Sequence, residues 1–180
     1  ADGAHQFIQT LADRAVNSLA GDKNSSAEQQ KRFRKLLNDN FDVRLLGKWA
    51  LGRHWRKATK IERAEYLAQF EEFLIATYSK RFRQLTTEKI NVASATSRSS
   101  RLAIVHSRLI RESNKPVRID WRVAYPRGKY KIVDIIVEGI SMLQTQRSEF
   151  GSVIRQNGGK VSGLTAALHD KTESLKKRRK

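Results

Sequence analysis

Histidine and cysteine are the residue types that most often bind metals or act as nucleophiles in catalysis. The four histidines lie in four distant segments, and none has a second metal-type ligand at a spacing used by zinc proteins: His5, His54, His106 and His169. The chain contains no cysteine, which excludes disulfides, thiolate metal sites and cysteine nucleophiles. The sequence therefore predicts neither a metal centre nor thiol chemistry.

Three carboxylates in the second half of the chain are the candidates for acid–base chemistry. Asp120, Asp134 and Glu138 fall in segments with strand character, and neighbouring strands could bring them together. However, Asp120 alternates with arginines and the other two lie near a strand end, so ion pairs with nearby cations are the favoured interpretation. No G-x-S-x-G elbow, P-loop or dinucleotide fingerprint is present. We expect a protein that is not an enzyme and has no cofactor.

The excess of basic residues points to an anionic partner. The chain has 36 Lys and Arg against 18 Asp and Glu, a net charge of +18, which suits nucleic acid, an anionic membrane surface or an acidic protein. Nucleic-acid binding needs aromatic residues exposed on a basic face, but the aromatic residues here fall in apolar stripes: Trp49, Phe70, Phe73, Tyr78 and Trp121. We predict no nucleic-acid partner. The basic run 176–180 is expected to end a flexible tail that begins near residue 172 and could tether the chain weakly to lipid headgroups.

The first half of the chain has the apolar spacing of helices. Apolar residues recur at helical intervals in 7–19, 33–41 and 43–51, and Gly21 follows the first segment as a candidate C-cap. Thr59 and Glu62 have the spacing of a capping box, which predicts the start of a long helix that ends near Arg83.

Beyond Leu85 the pattern changes to the period of two that is typical of strands. Four strands are predicted, at 89–94, 101–111, 117–125 and 129–137. The third strand has a dry face with Val117, Ile119, Trp121, Val123 and Tyr125, opposed by Arg118, Asp120, Arg122 and Ala124. The fourth strand is apolar on both faces from Ile132 onward, which predicts that both of its faces are covered.

Two further helices are predicted to close the chain, the first capped by Ser141 and ended by 157–159, and the second beginning at Ser162. These elements predict an α+β fold in which a four-stranded antiparallel curved sheet is covered by about six helices, as a single domain over 1–180. No run of about eighteen apolar residues occurs, so no membrane-spanning segment is predicted.

Three segments of the chain carry recognisable motifs. The first is Leu51-Gly52-Arg53-His54-Trp55 with the Ala58-Thr59 and Glu62-Arg63 pairs that follow. The second is the helix from Glu65 to Tyr78, and the third is 134–142, which reads D-x-x-x-E-G-x-S-M and is followed by Glu149-Phe150-Gly151. These segments resemble the MlaC (toluene-tolerance) family of periplasmic phospholipid-binding proteins. Residues 116–120 and 163–165 fit the same template in the same order, so the resemblance covers nearly the whole chain.

The resemblance implies a function in lipid transport. It implies a periplasmic carrier in a Gram-negative bacterium, present as a mature chain after removal of a signal peptide. Such a carrier shuttles phospholipid between an outer-membrane lipoprotein complex and an inner-membrane ABC transporter complex with an MCE-type substrate-binding component, and so maintains the lipid asymmetry of the outer membrane. We expect a monomer with phospholipid as its cargo.

The resemblance also implies an apolar cavity that encloses the acyl chains while the headgroup stays outside. Two chains hold on the order of thirty methylenes, whose exposure to water would cost about 20 kcal/mol or more. Our candidates for the lining are Leu45, Trp49, Phe70, Phe73, Leu74, Val117, Ile119, Trp121, Val123, Ile132 and Ile136. The candidates for contact with the headgroup or a partner are Arg53, Arg56, Arg118 and Arg122.

Two alternatives to a phospholipid carrier remain. The sister branch of the family, HpnM, is associated with hopanoids, and the arginine-rich segment 98–111 departs from the usual pattern and leaves that cargo open. An alternative from another class is a nucleic-acid-binding or protein-interaction domain in which the apolar residues form a filled core and the charge is the function.

Overall fold

The computed structural model describes residues 1–19, 26–85, 88–112 and 114–178. In this part of the chain seven α-helices are present: α1 (Asp2–Leu19), α2 (Ser26–Asn40), α3 (Val43–Leu51), α4 (His54–Lys57), α5 (Lys60–Leu85), α6 (Met142–Gln156) and α7 (Val161–Lys177). The strands are β1 (Lys89–Ser99), β2 (Leu102–Ile110), β3 (Val117–Ala124), β4 (Lys131–Val137) and β5 (Ile140–Ser141). The predicted α+β class is confirmed.

The structure contains two elements that the sequence patterns do not predict, the single-turn helix α4 and the two-residue strand β5. Both are too short to show a period of apolar residues, which is the signal that the other predictions use. The predicted C-cap Gly21 and the loop after it lie outside the described residues.

The elements form two compact units. Ala1–Asp42 and Arg81–Met142 make the first, which contains the whole sheet and is called the sheet unit below. Val43–Lys80 and Leu143–Lys180 make the second, which is called the helical unit. The prediction of one lipid-binding domain over the whole chain stays a prediction.

The sheet is an antiparallel meander whose strands follow one another in chain order. The third strand alternates as predicted, because Ile119, Trp121 and Val123 are buried while Arg118 and Arg122 are exposed. Two positions differ from the prediction. Asp120 is 3% exposed although it belongs to the polar face, and Tyr125 lies beyond the strand and is exposed.

A bulge in β4 changes which residues share a face of the sheet. Arg122 pairs with Asp134 while the next residue, Val123, pairs with Ile132, so Val133 has no partner on β3. The extra residue reverses the alternation of side chains along β4. Ile132 therefore shares a face with Val123, whereas Ile136 pairs with Asp120 on the opposite face.

Helices α1 and α2 pack within the sheet unit through aromatic and polar contacts. The Phe7 ring of α1 stacks on Tyr130 at 5.7 Å between centroids. At the end of α2, Phe41 forms a parallel bridge with Ile132. Lys131 donates hydrogen bonds to the backbone carbonyls of Asn38 and Asp39, each at 2.8 Å, and so satisfies carbonyls that a helix end leaves unpaired.

The helical unit is built around a cluster of buried aromatic and aliphatic residues. Phe150 of α6 contacts the rings of Tyr66 and Phe70 of α5 edge to face, at 6.3 and 6.1 Å. A Cβ at Gly47 would lie 2.6 Å from a Leu67 methyl group, so glycine permits the close approach of α3 to α5. There the buried Tyr66 hydroxyl donates to the Gly47 carbonyl at 2.8 Å.

The start of α5 agrees with the prediction, and the end of α7 differs from it. The capping box is confirmed, because the Thr59 amide donates to the Glu62 carboxylate at 2.8 Å and the Glu62 amide donates to the Thr59 hydroxyl at 3.1 Å. The last helix of the helical unit, α7, continues to Lys177, and its Thr172 is 1% exposed. Residues 172 to 177, where the flexible tail was predicted to begin, are therefore the last turns of a helix. Thr172 is four residues beyond Leu168, on the buried side of α7.

Candidate functional site

The candidate lining residues of the sheet unit differ in how far the protein itself covers them. Ile119, Trp121, Val123 and Ile132 are buried, whereas Val117 and Ile136 are half-buried. The Trp121 indole donates to the Ser107 hydroxyl at 2.9 Å, and that hydroxyl donates to the Ile119 carbonyl at 2.8 Å. The structure brings five of the six together on one face of the sheet, and the bulge places Ile136 on the other.

The candidate lining residues of the helical unit are less completely covered. Phe70 is 2% exposed and belongs to the aromatic core. Leu45, Phe73 and Leu74 are half-buried, and the Trp49 side chain is 42% exposed. These four residues retain apolar surface that an additional apolar molecule could cover.

The two arginines of β3 are engaged in ion pairs. Arg118 contacts Asp120 at 2.6 Å, and Arg122 contacts Asp134 at 3.3 Å. Asp120 also accepts from His106 at 2.9 Å, and the backbone amide of Arg118 donates to Glu138 at 2.5 Å. Burial opposes the charged form of Asp120, but the hydrogen bonds from Arg118 and His106 outweigh it and lower its pKa. The predicted ion pairing of Asp120 and Asp134 is confirmed.

The sequence reading missed the role of His106, because only the register of β2 and β3 places it opposite Asp120. The ring also contacts the Thr96 hydroxyl at 3.2 Å. His106 thus joins three strands through polar side chains on the face opposite Trp121.

The helical unit contains a basic cleft of about 390 Å³. Its lining residues come from the α3–α4 junction and from α6: Leu51, Arg53, His54, Gln144, Arg147, Ser148, Gly151 and Arg155. Gly52 has a φ of 56°, which turns the chain sharply between α3 and α4 and places Arg53 and His54 at the cleft. The four-residue spacing of Arg147, Gly151 and Arg155 puts them on one face of α6.

His54 is the most enclosed polar residue of this cleft. The residue is only 8% exposed, and its Nδ1 has no hydrogen-bond partner among the described residues. Burial lowers the pKa of His54, and the nearby charges of Arg53, Lys57 and Arg155 lower it further. The imidazole is therefore held in its neutral form at pH 7.

The four arginines predicted to contact a headgroup or partner are divided between the two units. Of the helical pair, Arg53 lines the basic cleft, and Arg56 is exposed on α4 outside it. Arg147 and Arg155, which also line the cleft, are not among the predicted residues. Their i, i+8 spacing about Gly151 was the available signal.

The described residues contain neither a cluster of metal ligands nor a membrane-spanning helix. Within 1–19, 26–85, 88–112 and 114–178, no group of three His, Asp or Glu side chains is arranged to hold a metal ion. Of the helices in these ranges, none is both long and apolar enough to cross a bilayer.

Comparison with known proteins gives a family match and a structural match that agree with each other. The model of the MlaC protein family matches residues 9–170. Among solved structures, the chain is similar to a phospholipid-binding protein from Ralstonia solanacearum, whose structure at 1.53 Å contains a phospholipid. The TM-score is 0.80 at 22% sequence identity, and the match covers 96% of this chain and 98% of the other. At this identity the structural match shows a shared fold. The family match extends over most of the 180 residues, and the protein therefore belongs to the MlaC family.

Proposed function

We propose that this protein is a carrier that binds one phospholipid and moves it through the periplasm. The observation that carries the proposal is the match to the MlaC family over residues 9–170. The shared fold with a protein that holds a phospholipid supports the same cargo. In this proposal the chain acts as a monomer without catalysis or a cofactor, and the lipid is transported unchanged.

The proposed route has an outer-membrane lipoprotein complex at one end and an inner-membrane ABC transporter complex with an MCE-type component at the other. Transfer between them would maintain the lipid asymmetry of the outer membrane. A carrier is needed on this route because exposing two acyl chains to water costs about 20 kcal/mol or more. Protein surface must replace that water throughout the transfer.

The proposed lining is the predicted set, and its less buried members are the ones most easily tested. Trp49 is 42% exposed, and Leu45, Phe73 and Leu74 are half-buried. Apolar residues that already pack fully, such as Phe70, contribute to the core whether lipid is bound or not. Substitutions at the less buried positions should therefore affect lipid binding more than folding.

Native mass spectrometry of the purified chain tests the cargo. We expect a phospholipid bound at one molecule per chain, released on denaturation and retained at high salt because acyl contacts are apolar. A hopanoid in its place would assign the protein to the sister branch. A chain that stays empty after incubation with phospholipid vesicles would contradict the carrier function. Bound nucleic acid that dissociates steeply with salt would instead support the charge-based alternative.

A matched pair of variants tests the lining. Trp49→Ala removes a predicted lining residue, whereas Ile61→Ala removes an apolar side chain of the same unit that is 72% exposed and lies outside the predicted set. We expect Trp49→Ala to retain less lipid and Ile61→Ala to retain as much as the unmodified chain. Equal retention by both variants would remove Trp49 from the lining.

A further inference from the structure

The basic cleft of the helical unit combines several cations without a compensating charge. Arg53, Arg147 and Arg155 line it together with His54, and none of its eight lining residues is Asp or Glu. Among the described residues, none of these three guanidinium groups takes part in an ion pair or a side-chain hydrogen bond. The three arginines are exposed, so water screens their mutual repulsion and leaves their donors free for another ligand. The cleft therefore presents a cationic surface that suits an anion.

Two glycines leave the space that two of these arginines occupy. A Cβ at Gly52 would lie 2.6 Å from Nε of Arg147, and a Cβ at Gly151 would lie 3.3 Å from Nη1 of Arg155. Glycine is less favourable than alanine inside a helix, and Gly151 lies within α6. The absence of a side chain at Gly52 and Gly151 thus lets the guanidinium groups of Arg147 and Arg155 lie against the backbone at the cleft.

The buried imidazole is a second, independent feature of the cleft. His54 is more than nine-tenths buried and lines the cleft, and its Nδ1 has no partner in the described chain. This nitrogen is enclosed by protein atoms, so it does not face the open cleft. An anion in the cleft would instead favour protonation of the ring through its charge.

We propose that the cleft lined by Arg53, His54, Arg147 and Arg155 binds a phosphate group, either as free phosphate or as the phosphate of a lipid headgroup. Phosphate suits the cleft better than one carboxylate because it presents more acceptor oxygens to several planar guanidinium groups. The volume of about 390 Å³ is within the range of small-ligand pockets and leaves room for ester substituents. This site goes beyond the proposed lipid carriage and does not depend on it.

Calorimetric titration of the full chain with inorganic phosphate, at constant ionic strength, tests the site. Arg147→Gln and Arg155→Gln should each weaken binding about tenfold, the loss expected for one charge-assisted hydrogen bond. Arg44→Gln is the matched control, because it removes the same charge from an exposed residue of α3 that lies outside the cleft and outside the predicted headgroup contacts. We expect the control to change the affinity by less than about twofold.

A second titration distinguishes the two sources of phosphate. Glycerophosphoglycerol is a soluble headgroup with a phosphate diester, and phosphatidylglycerol vesicles present the same group on a surface. Binding of the diester or the vesicles with loss in Arg147→Gln assigns the site to headgroups. Binding of inorganic phosphate alone, with the same loss, assigns it to free phosphate. Either result supports the site, and neither depends on whether the chain also carries a lipid.

Protonation of His54 supplies a further readout. The diester keeps one charge across this pH range, so a rise in its affinity as the pH falls below about 6.5 reports histidine. The charges of Arg53, Lys57 and Arg155 oppose protonation of this ring until the anion is bound, and Arg147 lines the same cleft. We expect His54→Gln to remove most of the rise in diester affinity. The rise that remains is attributed to the other histidines.

Three outcomes would overturn the proposal. The first is absence of binding by inorganic phosphate, diester and vesicles alike. The second is equal weakening by Arg147→Gln and Arg44→Gln, which would indicate a general effect of net charge. The third is binding of an acidic peptide alone, which would make the cleft a protein-docking surface.

Discussion

At the scale of single residues, the polar groups that matter most are the few that the fold encloses. Asp120 is enclosed with partners on its own strand and on β2, whereas His54 is enclosed with one ring nitrogen unpaired. Burial opposes the charged form of both groups, but only Asp120 has hydrogen bonds that outweigh it. Hydrogen bonds lower the pKa of Asp120 and stabilise its charge, while burial lowers the pKa of His54 and excludes its charge.

His54 should make the stability of the protein depend on pH. Its folded-state pKa is lower than the ordinary value of 6.5, so the unfolded chain binds more protons as the pH falls through that value. Stability associated with the neutral ring is present above about pH 6.5 and is lost as the pH falls towards the lowered pKa. Urea unfolding at a series of pH values measures this loss.

The variant His54→Gln isolates the contribution of this ring. We expect a shallower fall in the free energy of unfolding below about pH 6.5 than in the unmodified chain. Parallel pH profiles for the two proteins would show that His54 is not responsible.

Ser107 should be important for the stability of the sheet unit, although it is a small residue. Its buried hydroxyl accepts from the Trp121 indole and donates to the Ile119 carbonyl. Ser107→Ala leaves both buried groups without this partner, at an expected cost of about 1–3 kcal/mol in the free energy of unfolding. Ser94→Ala, at an exposed position of β1, should change it by less than about 0.5 kcal/mol. Equal effects in denaturant unfolding would contradict this role.

At the scale of elements, α6 carries a conflict between helix stability and the cleft. Gly151 is a poor helix former in the middle of this helix, but it leaves room for Arg155. Its replacement by alanine separates the two effects, because the helix gains stability while the guanidinium group must move by a few tenths of an ångström.

We expect Gly151→Ala to melt at a higher temperature and to bind inorganic phosphate more weakly. The gain is at most about 1 kcal/mol from helix propensity. Thermal unfolding and phosphate titration of the same preparation measure both effects. Weaker binding by a more stable protein excludes unfolding as the cause. Unchanged affinity would show that Arg155 needs no space from this glycine.

The register of β4 determines which face of the sheet each of its side chains lies on. The bulge at Val133 shifts the alternation of β4, so Ile132 and Ile136 lie on opposite faces although four residues separate them. A lining that includes both residues would have to involve both faces of the sheet. Mutations at Ile132 and Ile136 therefore report on different surfaces.

At the scale of the whole molecule, a bound lipid should contribute to stability. Ligands that bind only the folded state raise the free energy of unfolding by mass action, by about 2.7 kcal/mol at a hundredfold excess over Kd. We expect the chain to melt at a lower temperature after lipid is extracted under native conditions. Readdition of phospholipid should restore the melting temperature, and readdition of inorganic phosphate should not restore it fully.

Extraction must leave the chain folded for this comparison to be valid. Circular dichroism before and after extraction is the control, since the helices and the sheet should be retained. An identical melting temperature with and without lipid would contradict tight binding to the folded state.

The amino-acid sequence by itself determined most of the elements and the family. Apolar periods of helices and strands are local, so 43–51, the Thr59–Glu62 cap and the positions of the four main strands could be predicted from spacing. The predicted end of the first strand was wrong, because β1 continues from residue 94 to Ser99. The motif around 134–142 and its neighbours identified the family that the comparison confirmed.

Only the tertiary structure decided which distant residues meet and which are enclosed. The bulge in β4, the pairing of His106 with Asp120 and the burial of Thr172 depend on register and packing, which no local period encodes. The cleft likewise requires α6 and the α3–α4 turn to meet, with Gly52 and Gly151 clearing the space. Sequence spacing describes one element at a time, whereas sites and burial arise from contacts between elements that are far apart in the chain.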